Sequence, residues 1–242
     1  MVINMTDTSY NKNVDIGIIG AMEPEVEGLK ARLGNRTEER WSGITFYVGE
    51  LCGKRVAIAR SGIGKVFAAI AAEAMILKYS PRLIVNTGVG GALASGLSTG
   101  DIVIADRLCQ HDMDTTAVGD AIGLISGINL VYLDADSRAV KILSEAACDL
   151  GLSARVGAIA TGDKFIASGA DKAKILESFD VAACEMEGCA VAQTAYVNGT
   201  AFAVVRAISD SADGEATMDY PTFLPIAARN STNLTLALVE KY

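Results

Sequence analysis

The segment "VDIGIIGAMEPEVEGLKARL", Val14 to Leu33, decides how the chain folds. Its first half sets Val14, Ile16, Ile18 and Ile19 among glycines with almost no polar side chain, the pattern of a strand buried on both faces. Its second half changes period, and Val26, Leu29 and Leu33 fall on one face of a helix behind the acidic start "EPE". A buried strand that runs straight into an amphipathic helix is the building unit of an α/β fold.

The alternation continues to the C-terminus. "GITFYVGELCGKRVAIARSG" reads as two strands around a turn at Cys52-Gly53-Lys54, and "KVFAAIAAEAMILKY" as a helix stopped by Ser80-Pro81. "RLIVNTGVGG" and "GDIVIADRL" are buried strands separated by a Gly- and Ser-rich loop. A helix over about 137–150, a strand at "ARVGAIATG", a helix at "DKAKILESF" and a strand entering "VAACEME" come next. A helix over about 188–196, a strand at "AFAVVRAISD" and an amphipathic helix in "FLPIAARNSTNLTLALVEKY" complete the order. The expected class is therefore α/β: one domain over 14–242, three layers, with a central, mostly parallel twisted sheet flanked by helices. Residues 1–13, "MVINMTDTSYNKN", read as a flexible polar tail.

Composition narrows the partners. The chain has 242 residues, a formal charge of −8 and no Lys/Arg cluster, which argues against nucleic acid and anionic membrane surfaces. The five cysteines form no C-x-x-C pair, and the single histidine leaves too few ligands for an ordinary zinc site, so a reduced, metal-free protein in the cytoplasm is expected. No apolar run of about eighteen residues is present to cross a bilayer.

In α/β sheets, ligands bind beyond the carboxyl ends of the strands. Those ends carry "GAMEPE", "RSGIG", "NTGVGG", "CQHDMDTT", "ATGDKF", "CEMEG" and "AISDSAD", where the unusual polar residues collect. The glycine stretches match neither nucleotide fingerprint. A dinucleotide pattern from Gly88 would need glycine where Leu93 stands, and a P-loop ending at Lys65 would need Ser or Thr where Val66 stands. Tight turns and close approach to a ligand both remain open for them. Glu23 and Glu25 suit the first turn of a helix, yet they also emerge at the active edge of the first strand. Asp210 ends a buried strand with a charge, Phe165 offers a ring for a planar ligand, and His111 beside Asp112 and Asp114 reads as a polar loop or the rim of a site.

Taken in order, "GIIGAMEPEVE", "RSGIGKVFAAI", "NTGVGGAL", "GDIVIADRLCQHDMDTT", "TGDKFI", "EMEGCAVAQ" and "RAISDSAD" resemble the 5′-methylthioadenosine/S-adenosylhomocysteine nucleosidase family, within the purine nucleoside phosphorylase-like superfamily. The resemblance runs from Asp15 into the last helix. It implies cofactor-free hydrolysis of an adenine N-glycosidic bond by a homodimer. It also implies roles: Glu25 activates water, Asp210 protonates adenine N7, and Glu187 with Met186 contacts the ribose. Phe165 stacks on adenine, Ile166 reads the base edge through its backbone, Gly91 lines the pocket, and Ser209 and Glu185 join the substrate-binding set. Two other readings stand beside it, a phosphate-dependent nucleoside phosphorylase and a nucleoside-binding module without chemistry. A phosphorylase needs arginine forks, and only Arg60 and Arg206 adjoin candidate loops. The segment 115–135 departs from the family at Val118, Asp120 and Ser126, and Val89 stands where Ser or Ala is usual, which leaves the 5′-substituent open.

"CEMEG" holds two carboxylates in an apolar run. If the strand continued through it, Glu185 and Glu187 would share one face. The resemblance makes Glu187 the sugar ligand and leaves Glu185 as a support paired with Arg206 or bonded to backbone amides.

Overall fold

The computed structural model describes residues 13–212 and 216–242, the side chains of 217–219 excepted. The tail read over 1–13 lies, but for Asn13, outside the described residues, as does Asp213 of "AISDSAD". The element order is β1 (Ile16–Gly20), α1 (Glu23–Lys30), β2 (Gly34–Trp41), β3 (Ile44–Leu51), β4 (Lys54–Arg60), α2 (Lys65–Tyr79), β5 (Leu83–Ala92), β6 (Ile102–Gln110), β7 (Leu133–Asp134), α3 (Ser137–Asp149), β8 (Ala154–Thr161), α4 (Gly169–Ser178), β9 (Ala183–Glu185), α5 (Gly188–Val197), β10 (Ala201–Asp210) and α6 (Ala216–Lys241).

All described strands share one sheet, but the sheet is mixed and not the mostly parallel one expected. β1 pairs in parallel with β4 and β5, β5 with β10, β6 with β8, and β8 with β9, while β10–β6, β5–β9, β3–β4, β2–β3 and β6–β7 are antiparallel. Since β5 contacts both β10 and β9, the strands β5, β10, β6, β8 and β9 form a closed five-stranded ring. The reason lies in β5. Its first half, Leu83–Asn86, is bonded to β1, whereas its last residues, Gly91 and Ala92, have left β1 and pair with Cys184 and Ala183. A strand that trades neighbours along its length curls the sheet, and hydrophobic periodicity carries no information about that exchange.

Two further departures are local. The strand β2, "GNRTEERW", is almost wholly exposed, so it has no apolar alternation by which a sequence reading finds it. The glycines of "NTGVGG" lie inside β5 and not in a loop after it.

The core sits on both faces of the sheet. One cluster joins Val26 and Leu29 of α1, Leu143 of α3 and Leu234 and Leu238 of α6 to Ile16, Ile18, Val85 and Val205 of the strands. Another packs Ala68, Ala71, Ala72 and Met75 of α2 and Val191 of α5 on Ile19, Phe46 and Ile84. Alanine-rich helices approach the sheet closely, and the fixed strands in turn hold the loops at their carboxyl ends.

Candidate active site

At those ends lies a cavity of about 530 Å³. Every strand-end stretch except "CQHDMDTT" lines it, and it contains all the residues singled out: Glu25, Gly91, Phe165, Ile166, Glu185, Met186, Glu187, Ser209 and Asp210. Sequence reasoning did not single out as ligand contacts Met22, Ile63, Cys184, Lys164 and Tyr220, which line the same cavity. The last of these stands in α6, beyond any motif, so nothing local in the sequence marks it.

Glu25 is buried in the first turn of α1 and both its oxygens are engaged. Oε2 accepts from the Met22 amide at 2.8 Å and Oε1 from the Val89 amide at 3.1 Å. Pro24 is the second helical residue, where a missing N–H costs no helix bond. β5 can pass this close because residue 88 is glycine, where a Cβ would stand 2.4 Å from Glu25 Oε1. Gly91 has the same function beside Asp210, whose Oδ1 would lie 2.9 Å from a Cβ there. These two glycines are not tight turns, and on this geometry the close approach they permit is to the protein's own carboxylates and not to a ligand. The helix-start amides do favour ionised Glu25, as does Arg206, but burial outweighs them and its pKa is raised. A carboxylate with a raised pKa exchanges a proton near neutrality more readily than an ordinary one.

Asp210 ends β10, with Ser209 Oγ donating to Oδ2 at 2.8 Å and the Ala212 amide to Oδ1 at 2.9 Å. Both side chains are buried, so Ser209 fixes the orientation of the carboxyl from within the fold.

β9 stops at Glu185, and Glu187 is the N-cap of α5, so strand alternation does not place the pair. Glu185 is fully used by the protein. It accepts from Thr161, from Arg206 and from the amides of Glu187 (2.9 Å) and Gly188 (2.6 Å). Sequence allowed either Arg206 or backbone amides as its partner, and it has both. Among the described residues, Glu187 receives only the Gly64 amide, at 2.8 Å, and lies 3.9 Å from Arg206. Burial and the Glu185 charge push its pKa up to about 7, against the opposing pull of Arg206 and the Gly64 amide. Three buried carboxylates, Glu25, Glu185 and Glu187, thus share the field of one buried guanidinium, which itself is held by Asn86 and Glu185, and Asp210 adds a fourth carboxyl to the cavity.

Phe165 keeps 43 % of its surface exposed, meeting Tyr220 edge to face with ring centres 5.6 Å apart, and Ile166 behind it is buried. His111 is not at the cavity: its ring packs over Gly162, and Asp112 turns instead to Lys65. Cys184 does line it, but burial raises its thiol to about 12, which makes it a poor nucleophile.

This geometry has counterparts among known proteins. The model of the phosphorylase superfamily matches residues 15–240. A 5′-methylthioadenosine/S-adenosylhomocysteine nucleosidase from Shewanella halifaxensis is 41% identical over 228 residues, which cover 93% of this chain and 99% of that protein. The chain belongs to the methylthioadenosine/adenosylhomocysteine nucleosidase family. The likeness to this nucleosidase family extends to solved structures. The nucleosidase from Neisseria meningitidis, in complex with methylthio-immucillin-A, is 37% identical and superposes with a TM-score of 0.92 over 94% of this chain and 99% of its own. Futalosine hydrolase from Helicobacter pylori, at 31% identity, reaches 0.90 over 94% of this chain and 97% of its own.

Proposed function

We propose that this nucleosidase family member hydrolyses the N-glycosidic bond of 5′-methylthioadenosine, S-adenosylhomocysteine or a related 5′-substituted adenosine, releasing adenine and the 5-substituted ribose. The observation that carries the proposal is the division of labour among the buried carboxylates of one cavity. Glu185 is consumed by the fold, while Glu25, Glu187 and Asp210 face ligand space. Breaking the C1′–N9 bond builds oxocarbenium character on the sugar and negative charge on the purine, so one base and one acid are needed. Glu25 takes a proton from water as its oxygen attacks C1′. The C1′–N9 electron pair passes to adenine, and Asp210, in its acid form, gives N7 a proton. Glu187 accepts from the ribose hydroxyls, Met186 packs on the sugar, Phe165 stacks on the base, and the Ile166 backbone reads its edge.

Water is favoured over phosphate as nucleophile because, among the described residues, no free arginine fork adjoins the cavity. Arg206 is spent on Asn86 and Glu185, Arg60 is exposed and lies 3.7 Å from Glu23, and Lys164 is paired with Asp171 at 2.8 Å. A binding module without chemistry would have no need for two differently held carboxylates. The deciding assay incubates methylthioadenosine, adenosylhomocysteine, 5′-deoxyadenosine and futalosine-type nucleosides with and without inorganic phosphate. Release of base at equal rates in both conditions is expected, and a requirement for phosphate with ribose 1-phosphate as product would overturn the hydrolase. The ranking of kcat/KM assigns the 5′-group.

The partner surface fits a homodimer. Val66 and Leu77 of α2, Trp41 and Val197 are all more than half exposed and line one groove along α2 and α5. Val118, in the departing segment, is 81 % exposed. Equilibrium sedimentation is expected to give a dimer at micromolar concentration and a shift to monomer in Leu77→Glu; an active monomeric parent would refute it. No described helix is long and apolar enough to cross a membrane.

A further inference from the structure

We propose that Asp163, Lys65 and Asp112 form a positioning ring that fixes the adenine-stacking loop and the ribose carboxylate relative to each other. The proposal rests on the roles of Phe165 and Glu187 given above. The ring closes through three contacts: the Lys65 amide donates to Asp163 Oδ1 at 2.8 Å, the Asp163 amide to Asp112 Oδ2 at 2.9 Å, and Lys65 Nζ to Asp112 Oδ1 at 2.6 Å. A further bond from Lys65 Nζ to Gln110 Oε1, at 3.1 Å, and one from Gln110 to Gln193, at 2.6 Å, anchor it to β6 and α5.

The placement gives the ring its function. The amide next to that of Lys65, on Gly64, is the one that donates to Glu187. Gly64 is the N-cap of α2 and has no side chain to cap it, so Asp163 supplies the helix-start carboxylate from another loop. Asp163 stands two residues before Phe165. One carboxylate therefore joins the turn that holds Glu187 to the loop that carries the stacking ring. Although burial opposes it, the Lys65 ammonium and the Asp163 amide hold Asp112 below the usual carboxylate range, so the ring is charged at neutral pH.

The readout is the acid limb of kcat/KM. Ionised Glu187 accepts from two ribose hydroxyls, whereas its protonated form turns one oxygen into a donor, so kcat/KM falls as pH drops through its pKa. Glu185 faces it from β9, Arg206 from β10, Glu25 from α1, Tyr220 from α6 and the Gly64 amide from the start of α2. Removing the Asp163 charge would by Coulomb's law alone move the limb to lower pH. Loss of the Gly64 amide moves it the other way. Asp163→Ala is expected to cut kcat/KM roughly 10- to 100-fold, with the limb shifted upward. Asp163→Asn keeps an oxygen for the Lys65 amide and is expected to stay within roughly threefold of the parent. Should Asp163→Ala fail to fold, Asp112→Ala carries the same test: the lost charge alone would lower the limb, but the variant also removes the acceptor of the Asp163 amide and of Lys65 Nζ and is expected to raise it. Glu25, the base, contributes a second acid limb, so the limb owed to Glu187 is the part that Glu187→Gln removes; if that part stays or moves down in these variants, the ring alone is overturned. A Glu187→Gln enzyme that retains both the limb and the parent kcat/KM overturns the ribose assignment itself.

Discussion

Asp210→Asn is expected to lower kcat by roughly 10²- to 10⁴-fold with little change in KM, the range a positioned general acid contributes. The substitution keeps the shape of the side chain. One oxygen still accepts from the Ala212 amide, and the Ser209 hydroxyl can turn from donating to accepting when an NH₂ replaces Oδ2. The fold and the adenine pocket are therefore retained, and the proton for N7 is what disappears. Steady-state release of adenine from methylthioadenosine measures the loss. A riboside with an activated phenolate leaving group, which departs without protonation, should be cleaved by the variant at nearly the parent rate. An Asp210→Asn enzyme that keeps its kcat on methylthioadenosine would sink the acid assignment.

Glu25→Gln is the second large effect, again roughly 10²- to 10⁴-fold in kcat, and it differs in also touching stability. Glu25 accepts two backbone amides, from Met22 and Val89. A glutamine offers one oxygen, so its NH₂ must face one of those N–H donors, leaving buried donors opposed at a cost of about 1–3 kcal/mol. A lower Tm together with lost turnover is expected, whereas Asp210→Asn should leave Tm almost unchanged. If Glu25→Gln lost Tm but kept kcat, the residue would be a structural cap of α1 and not the base. That is the plainer reading which the acidic helix start "EPE" allowed.

The site was more legible in the sequence than the sheet around it. Polar residues at the ends of apolar strands stand out because burial of a charge requires a reason, so Glu25, Glu187 and Asp210 could be picked from their surroundings. Ordered motifs then gave each a role. Tyr220 had no such contrast, lying in an ordinary helical stretch that reaches the cavity only because α6 folds back over the strand ends. β2 was invisible because its exposed, charged residues share no periodic face. The same-face argument for Glu185 and Glu187 missed because β9 ends at Glu185. What separates the two carboxylates is the set of partners each one meets, above all Arg206 and Thr161 on Glu185.

By itself the sequence determined the α/β class, the order of nearly all elements, the family resemblance and which carboxylates stand at the ends of the strands, because periodicity and charge contrast are local properties of the chain. Only the tertiary structure decided that β5 exchanges β1 for β9 and closes a ring of strands, that Arg206 is spent on Asn86 and Glu185, and that Asp163 caps α2 from another loop. Each of these joins groups far apart in sequence, and which of several possible partners a buried hydrogen-bonding group meets is set by packing, not by its neighbours along the chain.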